Sequence, residues 1–456
     1  MKINYKTLFV SIIGAISLLG FAFYNGYPIV YSDTSTYIAS GFTLQPPVDR
    51  PITYGLFIWL TSLNGSSLWI VVFVQSLIIS YLILLTIKDF IQLKNPYRYF
   101  IFVIGFLSTL TVIPYVSGQI ITDIFPSIGI LCILHLTLNT KLKNLNKILL
   151  FSIFFIANAM HMSHLMINFL FIISIALIKR SFFRDTIILK NRNIWLLFGF
   201  TIMGILMMGS SLAKSKHVFF MGRMAENGIL IQFLNENCGD NKYKLCDCIE
   251  SIPTNTTDFL WDDKSPVYTK YGKWREAQDE FGNIIRATLL RPKYLSRHIY
   301  ESIKSTCKQL VAFDAGDGNG PFVGETLLFE RIKKYFPSES IEYSQSKQSK
   351  GLLKKEELDT LNTRYRLIII FSLLILLYIF YCEKLNSQIA LNKKFLVYML
   401  FIAIFINSFI NASLVIVTDR FGAKLIWLIP FMLLLVVPEV NFKKLFLADK
   451  FPDQEV

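Results

Sequence analysis

Long apolar runs separated by short polar connections make up most of this 456-residue chain. A helix needs about 20 apolar residues to cross a hydrocarbon layer about 30 Å thick. The clearest runs cover residues 8–23, 68–87, 100–114, 194–212, 367–382, 395–417 and 425–437, and shorter ones cover residues 128–138, 148–159 and 165–178. The shorter runs are also compatible with re-entrant or tilted segments. The pattern predicts an all-α polytopic membrane protein with about ten transmembrane helices.

Lysine and arginine orient these predicted helices. They gather in alternate connections, at residues 2–6, 88–98, 141–147, 179–192, 384–394 and 443–444. The opposite short connections hold few basic residues apart from Arg50 and Arg420. Because cytoplasmic loops are enriched in lysine and arginine, both termini are expected in the cytoplasm, with a bacterial inner membrane as the favoured location.

Composition supports this class of protein. The chain is 53% hydrophobic and 17% charged, with a mean hydropathy of +0.47. These values exclude disordered, collagenous and disulfide-scaffold proteins and do not fit an ordinary soluble enzyme. The net charge of +14 would suggest nucleic acid in a soluble protein. Here the cytoplasmic connections account for much of it, so no nucleic-acid partner is expected.

The predicted topology divides the chain into four parts. They are an N-terminal transmembrane module (1–213) with a first outer loop (25–66), an outer soluble domain (214–364), C-terminal transmembrane helices (365–438) and a cytoplasmic tail (439–456). Amphipathic stretches predict a mainly α-helical outer domain. Residues 52–63 are apolar but too short to cross, which predicts an interfacial helix in the first outer loop.

Four cysteines lie in the predicted outer domain: Cys238, Cys246, Cys248 and Cys307. Thiols outside the cytoplasm tend to oxidise, so one or two disulfides are expected, with Cys238 favoured to pair with Cys246 or Cys248. A zinc site is the alternative, but no histidine completes the ligand spacing. Residues 314–325 superficially resemble a calcium loop, yet glycines occupy two ligand positions, which favours a glycine-rich turn.

The first outer loop carries charged groups close to the membrane surface. Asp33, with Tyr37 one turn later, and the neighbouring pair Asp49 and Arg50 are the candidates for function. The alternative for Asp33 is an N-cap, since a helix could begin there. The alternative for Asp49 and Arg50 is that they only position a turn.

Two further outer turns and the last span add polar residues. Asp123 begins a span, where the helix dipole favours a carboxylate with or without a function. His161 and His164 are spaced for one helical face and suit proton relay, phosphate binding or simple packing. Arg420 needs an anionic partner near lipid, either a lipid phosphate or Asp419, unless it only extends to the headgroups; Lys424 follows one turn later.

In their order along the chain and their shared side, these residues resemble the glycosyltransferase C superfamily, integral membrane enzymes that use polyprenyl-phosphate sugars. The resemblance covers mainly the first 215 residues and the last pair of spans, and it identifies no subfamily. Its motifs are Ser32-Asp33-Thr34 followed by Tyr37, Arg50-Pro-Ile-Thr-Tyr54, Thr122-Asp123-Ile-Phe-Pro126 and Asp419-Arg420-Phe421. The first outer loop (25–66) has no adjacent Asp-Glu pair like that of protein mannosyltransferases, and there is no tryptophan-rich motif like the sequon-binding motif of oligosaccharyltransferases, which disfavours peptide acceptors.

The resemblance implies transfer of a sugar from a polyprenyl-phosphate donor to a glycan or lipid acceptor. Asp33 would be the general base, made more basic by partial desolvation, and Asp123 a second catalytic carboxylate. Arg420, with Arg50 or a proton on His161 or His164, would stabilise the departing lipid phosphate. Tyr37, Asp49 and Lys424 complete the expected substrate-binding set. The possible cofactor is a divalent cation held by Asp123, alone or with Asp33, but two carboxylates are too few ligands to assert a metal site.

Three other functions fit parts of the pattern. An O-antigen polymerase or ligase-like enzyme would rely on outer arginines and histidines rather than on Asp33. A transporter or flippase would use Asp33 and Arg420 to gate a charged substrate, but such proteins often contain internal repeats, and the halves of this chain show none. A scaffold without catalytic activity is the third.

Overall fold

The computed structural model of the protein describes residues 5–183, 189–239 and 243–442. Within these ranges the regular structure is helical and no β-strand is formed, which confirms the predicted all-α class. One isolated backbone bridge in these ranges pairs Ile29 with Gln119, 90 residues later in the sequence.

The α-helices fall into three successive groups. The first group is α1 (Tyr5–Leu18), α2 (Gly20–Asn25), α3 (Thr34–Thr43), α4 (Thr53–Thr61), α5 (Leu68–Phe90), α6 (Pro96–Leu110), α7 (Ile113–Ser117), α8 (Phe125–Leu138), α9 (Asn144–Ala159) and α10 (Met162–Phe182). The second is α11 (Asn191–Glu226), α12 (Ile229–Asn237), α13 (Thr256–Trp261), α14 (Pro266–Thr269), α15 (Gln278–Leu290), α16 (Pro292–Val311), α17 (Leu327–Tyr335) and α18 (Ser340–Gln345). The third is α19 (Asp359–Tyr381), α20 (Glu383–Asn386), α21 (Leu391–Leu414), α22 (Asp419–Ile426) and α23 (Leu428–Val436).

Six of the described helical segments are long and apolar enough to cross a membrane. They are Leu68–Phe90, Met162–Phe182, Asn191–Met208, Glu356–Tyr381, Leu391–Leu414 and Asp419–Glu439. Four apolar helices are shorter: Tyr5–Leu18, Pro96–Leu110, Thr122–Leu138 and Asn144–Ala159. By length and composition, these helices fit the multi-pass membrane protein that the apolar runs predict.

Side-chain caps begin several helices where the sequence changes from polar to apolar. The Ser67 hydroxyl accepts from the backbone N–H of Trp69 at the start of α5, and Asn95 caps α6 directly before a proline. Such caps satisfy N–H groups that have no partner within the helix. Glu339 adds a carboxylate to the start of α5, accepting from the Ser67 hydroxyl (2.5 Å) and from the Leu68 N–H (3.2 Å). These hydrogen bonds connect the segment that contains Glu339 to the N-terminus of α5.

Residues 214–364 do not pack as one body. Residues 218–294 have a core of their own, with Phe233, Phe259 and Phe281 at its centre. Residues 313–358 instead join the large core of the membrane helices, through side chains such as Phe336. Helix α11 runs without interruption across the predicted boundary at residue 213.

One disulfide links Cys238 to Cys246, as predicted. Cys248 and Cys307 are free thiols, so the remaining two candidates do not pair with each other. The bond joins the residue that ends α12 to the short 3₁₀ segment Lys244–Ser251.

The glycine-rich turn at residues 314–320 is a packed structural element. Gly318 has a φ of +69°, and a Cβ there would overlap the Tyr31 ring. Asn319 accepts from the Tyr115 hydroxyl (3.1 Å), and Asp314 binds Arg366 and Lys355. Because its carboxylate is engaged by two cations, the turn differs from a calcium loop.

The close contact between α22 and the end of α16 leads to a prediction. A Cβ at Gly422 would overlap the Ala312 carbonyl oxygen, whereas a Cβ at Gly105 in α6 would have nothing within 4 Å. We expect Gly422→Ala to lower stability by about 1–3 kcal/mol through overpacking. The matched variant Gly105→Ala is expected to cost nothing, since alanine is the better helix former. Thermal unfolding in detergent measures both variants. Equal unfolding midpoints for Gly422→Ala and Gly105→Ala would contradict the close packing of Gly422 on Ala312.

Candidate functional site

Six charged side chains form one chain of alternating sign. In order they are Asp49, Arg50, Asp33, Arg420, Asp123 and Lys424, each within 3.3 Å of the next. The first three come from the loop around α3, the fourth and sixth from α22, and Asp123 from the turn before α8. Segments separated by about 300 residues of sequence therefore meet in one ion-pair chain, and its three carboxylates balance its three cations.

Asp33 is the central carboxylate of the chain. One of its oxygens lies 2.9 Å from Arg50 Nη1 and the other 3.3 Å from Arg420 Nη1. It occupies the N-cap position of α3, yet its side chain makes no capping hydrogen bond. Its side chain is 26% exposed, more than any of the other five. Asp33 is thus the member of the chain that is most open to a ligand.

Asp123 and Lys424 form the buried end of the chain. Asp123 receives Arg420 Nε at 2.6 Å on one oxygen and lies 3.1 Å from Lys424 Nζ with the other. Arg420 and Lys424 are four residues apart on α22, so both project from one face. The Asp123 and Lys424 side chains are 1% and 2% exposed. Charges buried this deeply have to be paired, because isolated ions are costly to take out of water.

Tyrosine rings support the two arginines. The Arg420 guanidinium lies 4.4 Å from the centre of the Tyr31 ring, and that of Arg50 lies 5.1 Å from the Tyr37 ring. Tyr54 packs edge-on against Tyr37 and donates to Gln75 (3.2 Å). The Arg50-Pro-Ile-Thr-Tyr54 motif therefore contributes a guanidinium to the chain and an aromatic side chain to its support.

Ion pairing sets the protonation of Asp33. Burial disfavours its ionised form, but Arg50 and Arg420 outweigh burial and hold the pKa of the carboxyl below its ordinary value. We expected partial desolvation to make this carboxylate more basic, and the two guanidinium groups give the opposite direction. In this arrangement Asp33 is a stable anion and a weak base.

The two histidines lie beside the chain. Burial, together with the charges of Lys424, Arg50 and Arg420, lowers the pKa of His161 to about 3, so this ring is neutral at pH 7. Its Nδ1 accepts from the Ser163 N–H (3.2 Å), which leaves the ring proton on Nε2. His164 is fully buried, 5.5 Å from His161, and its Nδ1 lies 3.2 Å from the Ala157 carbonyl. His161 can therefore offer an N–H without carrying a charge.

A second charged network borders the first. Lys355 lies 2.5 Å from Asp419 and 3.1 Å from Asp314, and Arg366 forms a two-pronged pair with Asp314. Asp419 thus pairs with Lys355 and not with its neighbour Arg420. Asp419 was one of the two partners expected for Arg420, and the structure pairs this arginine with Asp33 and Asp123 instead. The two networks join through the peptide bond between residues 419 and 420.

A pocket of about 630 Å³ opens against this second network. Its lining includes Tyr31 and five charged residues, Asp314, Asp317, Lys355, Arg366 and Asp419. The Lys355 and Arg366 side chains are each 41% exposed, while Asp314 beneath them is 5% exposed. The pocket therefore exposes two cations, Lys355 and Arg366, which both pair with the buried Asp314 carboxylate.

The sequence pattern singled out every member of the ion-pair chain, but it gave no signal for the two exposed cations of this pocket. Lys355 and Arg366 lie in ordinary-looking polar and helical sequence, and their partner Asp314 is over 40 residues away. Three other lining residues lie in or beside stretches with a signal: Tyr31 directly precedes the Ser32-Asp33-Thr34 motif, Asp419 begins the Asp419-Arg420-Phe421 motif, and Asp314 begins the glycine-rich turn. The stacking of Tyr31 on Arg420 depends on the fold.

Nothing in the described residues groups three histidine, cysteine, aspartate or glutamate side chains as a metal site would require. The chain matches no protein-family model, no curated protein and no solved structure. The case for a function therefore depends on the geometry of the two networks and on the chemistry of their side chains.

The buried end of the chain generates a prediction. Asp123→Asn leaves the Lys424 ammonium buried without its carboxylate, and we expect a loss of about 3–5 kcal/mol in stability. Adding Lys424→Met to that variant removes the unpaired charge and is expected to restore part of the loss. Thermal unfolding of the purified protein in detergent measures each change.

The control is an exposed pair. Asp247 is 64% exposed and lies 3.6 Å from Lys270, so Asp247→Asn is expected to cost less than about 1 kcal/mol. If Asp123→Asn were as mild as Asp247→Asn, the buried ion-pair chain would be contradicted.

Proposed function

We propose that the protein is an integral membrane glycosyltransferase that transfers a sugar from a polyprenyl-phosphate donor to a glycan or lipid acceptor outside the cytoplasm. The observation that carries this proposal is the convergence of Asp33, Asp123 and Arg420 in one ion-pair chain. An acid and a guanidinium brought together from distant segments provide a proton acceptor and a phosphate ligand in one place.

The proposal includes a membrane topology. The four shorter apolar helices join the six long ones to make ten crossings of a bacterial inner membrane, with both termini in the cytoplasm. Contacts between connections support an alternating order: Asn139 donates to Asp89 (2.6 Å) at the basic end of the bundle, whereas Ile29 meets Gln119 near the ion-pair chain. The ion-pair chain then lies at the extracytoplasmic end of the spans.

The lipid phosphate of the donor binds the guanidinium of Arg420. It competes with Asp33 for this group, because both are anions that suit the same N–H donors. Lys424 adds positive charge from one turn further along α22, and the neutral His161 contributes an N–H donor. Arg50 stays with Asp49 and stacks on Tyr37, which keeps it in position beside the reacting groups.

Donor binding also activates Asp33. Once the phosphate takes over Arg420, one of the two charges that depress the pKa of Asp33 is neutralised, and the carboxylate becomes a stronger base. Asp123 keeps the other side of the arginine in place through its 2.6 Å contact. The paired ground state therefore protects the base until the donor arrives.

The reaction is a single displacement. The oxygen of an acceptor hydroxyl forms a bond to the anomeric carbon while its proton passes to the Asp33 carboxylate. The bond between that carbon and the phosphate oxygen breaks, and the electron pair leaves with the polyprenyl phosphate, whose charge Arg420 stabilises. Configuration at the anomeric carbon is inverted. The chemistry requires no nucleotide.

The acceptor occupies the 630 Å³ pocket beside Tyr31. Asp317 and Asp419 accept hydrogen bonds from sugar hydroxyls, while Lys355 and Arg366 donate to ring and hydroxyl oxygens. A pocket that mixes donors and acceptors in this way suits a polyhydroxylated ligand. Because Tyr31 also stacks on Arg420, the pocket adjoins the donor site.

An O-antigen polymerase or ligase-like enzyme is the second candidate. It is favoured by the presence of Arg50, Arg420 and His161 in one site. In such an enzyme the arginines and histidine would carry the reaction, and Asp33 would be dispensable for transfer. The two candidates therefore differ in what happens when Asp33 loses its charge.

The test compares Asp33→Asn with the unmodified protein in proteoliposomes given a panel of polyprenyl-phosphate sugars. We expect release of polyprenyl phosphate to fall about 10²–10⁴-fold, the usual contribution of a general base. Asp89→Asn removes a carboxylate that contacts His135 at the other end of the bundle, and it is expected to retain full activity.

Thermal unfolding of both variants separates loss of chemistry from loss of fold. Full turnover by folded Asp33→Asn would favour the ligase-like alternative. Absence of turnover by the unmodified protein with every donor would contradict the proposed class of reaction.

A further inference from the structure

We propose that α16 (Pro292–Val311) is a lipid-contacting helix, with its exposed apolar stripe in the outer leaflet and its basic side chains on anionic phospholipid headgroups. The stripe consists of Leu295, Ile299, Ile303 and Val311. The proposal concerns how residues outside the long spans contact the membrane. It holds or fails independently of the sugar-transfer reaction.

The helix is inverted relative to a helix of a water-soluble domain. Its buried side chains are mostly polar and include Ser305, Thr306 and Gln309. Its exposed side carries the stripe, where Ile299, Ile303 and Val311 are 54%, 60% and 73% exposed. A helix surrounded by water buries its apolar face and exposes its polar one. An apolar outer face over polar contacts indicates that lipid is the solvent on this side.

The polar face of α16 is used by the protein itself. Arg223 of α11 donates to the Ser305 hydroxyl, and the Tyr294 hydroxyl donates to Glu236 (2.7 Å). The Gln309 side chain donates to the Thr418 carbonyl (2.7 Å) and accepts from the Thr418 N–H (3.1 Å). These bonds fix the rotation of the helix, so the apolar stripe cannot turn inward.

The stripe continues the lipid-facing surface of a membrane helix. Helix α16 packs against α21 and α22, and Ala312, just after its last residue, contacts Gly422 near the start of the last long span. On α21 the exposed side chains include Phe405 and Phe409, which are apolar residues of a span. Because α16 packs against α21, we place its apolar stripe in the outer leaflet, next to the lipid-facing side chains of that span.

Basic residues run beside the stripe. Lys304 and Lys308 are exposed on α16, at the boundary of its apolar sector, and Lys293 is exposed near its start, where it pairs with Glu236 (2.7 Å). Lys304 lies 3.4 Å from Glu301 and is 47% exposed. An apolar face flanked by lysines is typical of helices that lie in the membrane interface and bind anionic lipid. The occupant that fits both features is a bilayer containing anionic phospholipid.

The free thiol of Cys307 provides a reporter for the test, because it is exposed on α16 between Ile303 and Val311. The full chain carrying Cys248→Ser and Cys382→Ser is labelled at Cys307 with a small fluorophore. It is placed in nanodiscs of phosphatidylcholine with or without phosphatidylglycerol. Quenching by a headgroup nitroxide lipid and by aqueous iodide is then measured. The control carries the label at the exposed position Glu250→Cys, with Cys307→Ser.

We expect nitroxide lipid to quench the label at position 307 at least twofold more than the label at 250, with iodide showing the reverse. Phosphatidylglycerol is expected to strengthen the lipid quenching, and Lys304→Gln with Lys308→Gln to remove that increase. Equal iodide quenching at both positions would overturn the proposal. So would protection from iodide without lipid quenching, which would mean that protein covers the stripe. Identical quenching with and without phosphatidylglycerol would overturn its anionic-headgroup part.

Discussion

Charge that is removed from water has to be matched within the protein, and this constraint organises the centre of the molecule. Asp123 and Lys424 are almost completely inaccessible, and Arg420 is nearly so. None of them could remain ionised there alone without a cost of several kcal/mol. Pairing in alternating order offsets that cost and joins the segment around α3, the turn before α8 and helix α22 in one structure. The ion-pair chain is therefore both a structural connection and the candidate site.

The same constraint leaves one open position in the chain. Asp33 is held by two arginines but is the most exposed of the six side chains, so it is the carboxylate that a competing anion can displace. A lipid phosphate would exchange one anionic partner of Arg420 for another without leaving a buried charge unmatched. The neighbouring network around Asp314 repeats this arrangement at the pocket, where exposed cations lie over a buried carboxylate.

Several features of this fold could be predicted from sequence because they depend on local pattern. Apolar runs indicated the helices, and cysteine spacing indicated the pairing of Cys238. Polar residues that are unusual beside a membrane indicated Asp33, Asp123 and Arg420. The pattern could not predict which residues far apart in the sequence contact each other. Lys355 pairs with Asp419, and Tyr31 stacks on Arg420. Helix α16 is a second example. The spacing of its apolar residues predicts an amphipathic helix, but this spacing does not tell which face of the helix is buried.

The most direct test of the central claim is a cryo-EM structure of the protein with added polyprenyl phosphate in a lipid nanodisc. The account predicts phosphate density within about 3 Å of the Arg420 guanidinium, with the Asp33 carboxylate released from that arginine. Phosphate bound elsewhere while Asp33 still pairs with Arg420 would contradict it.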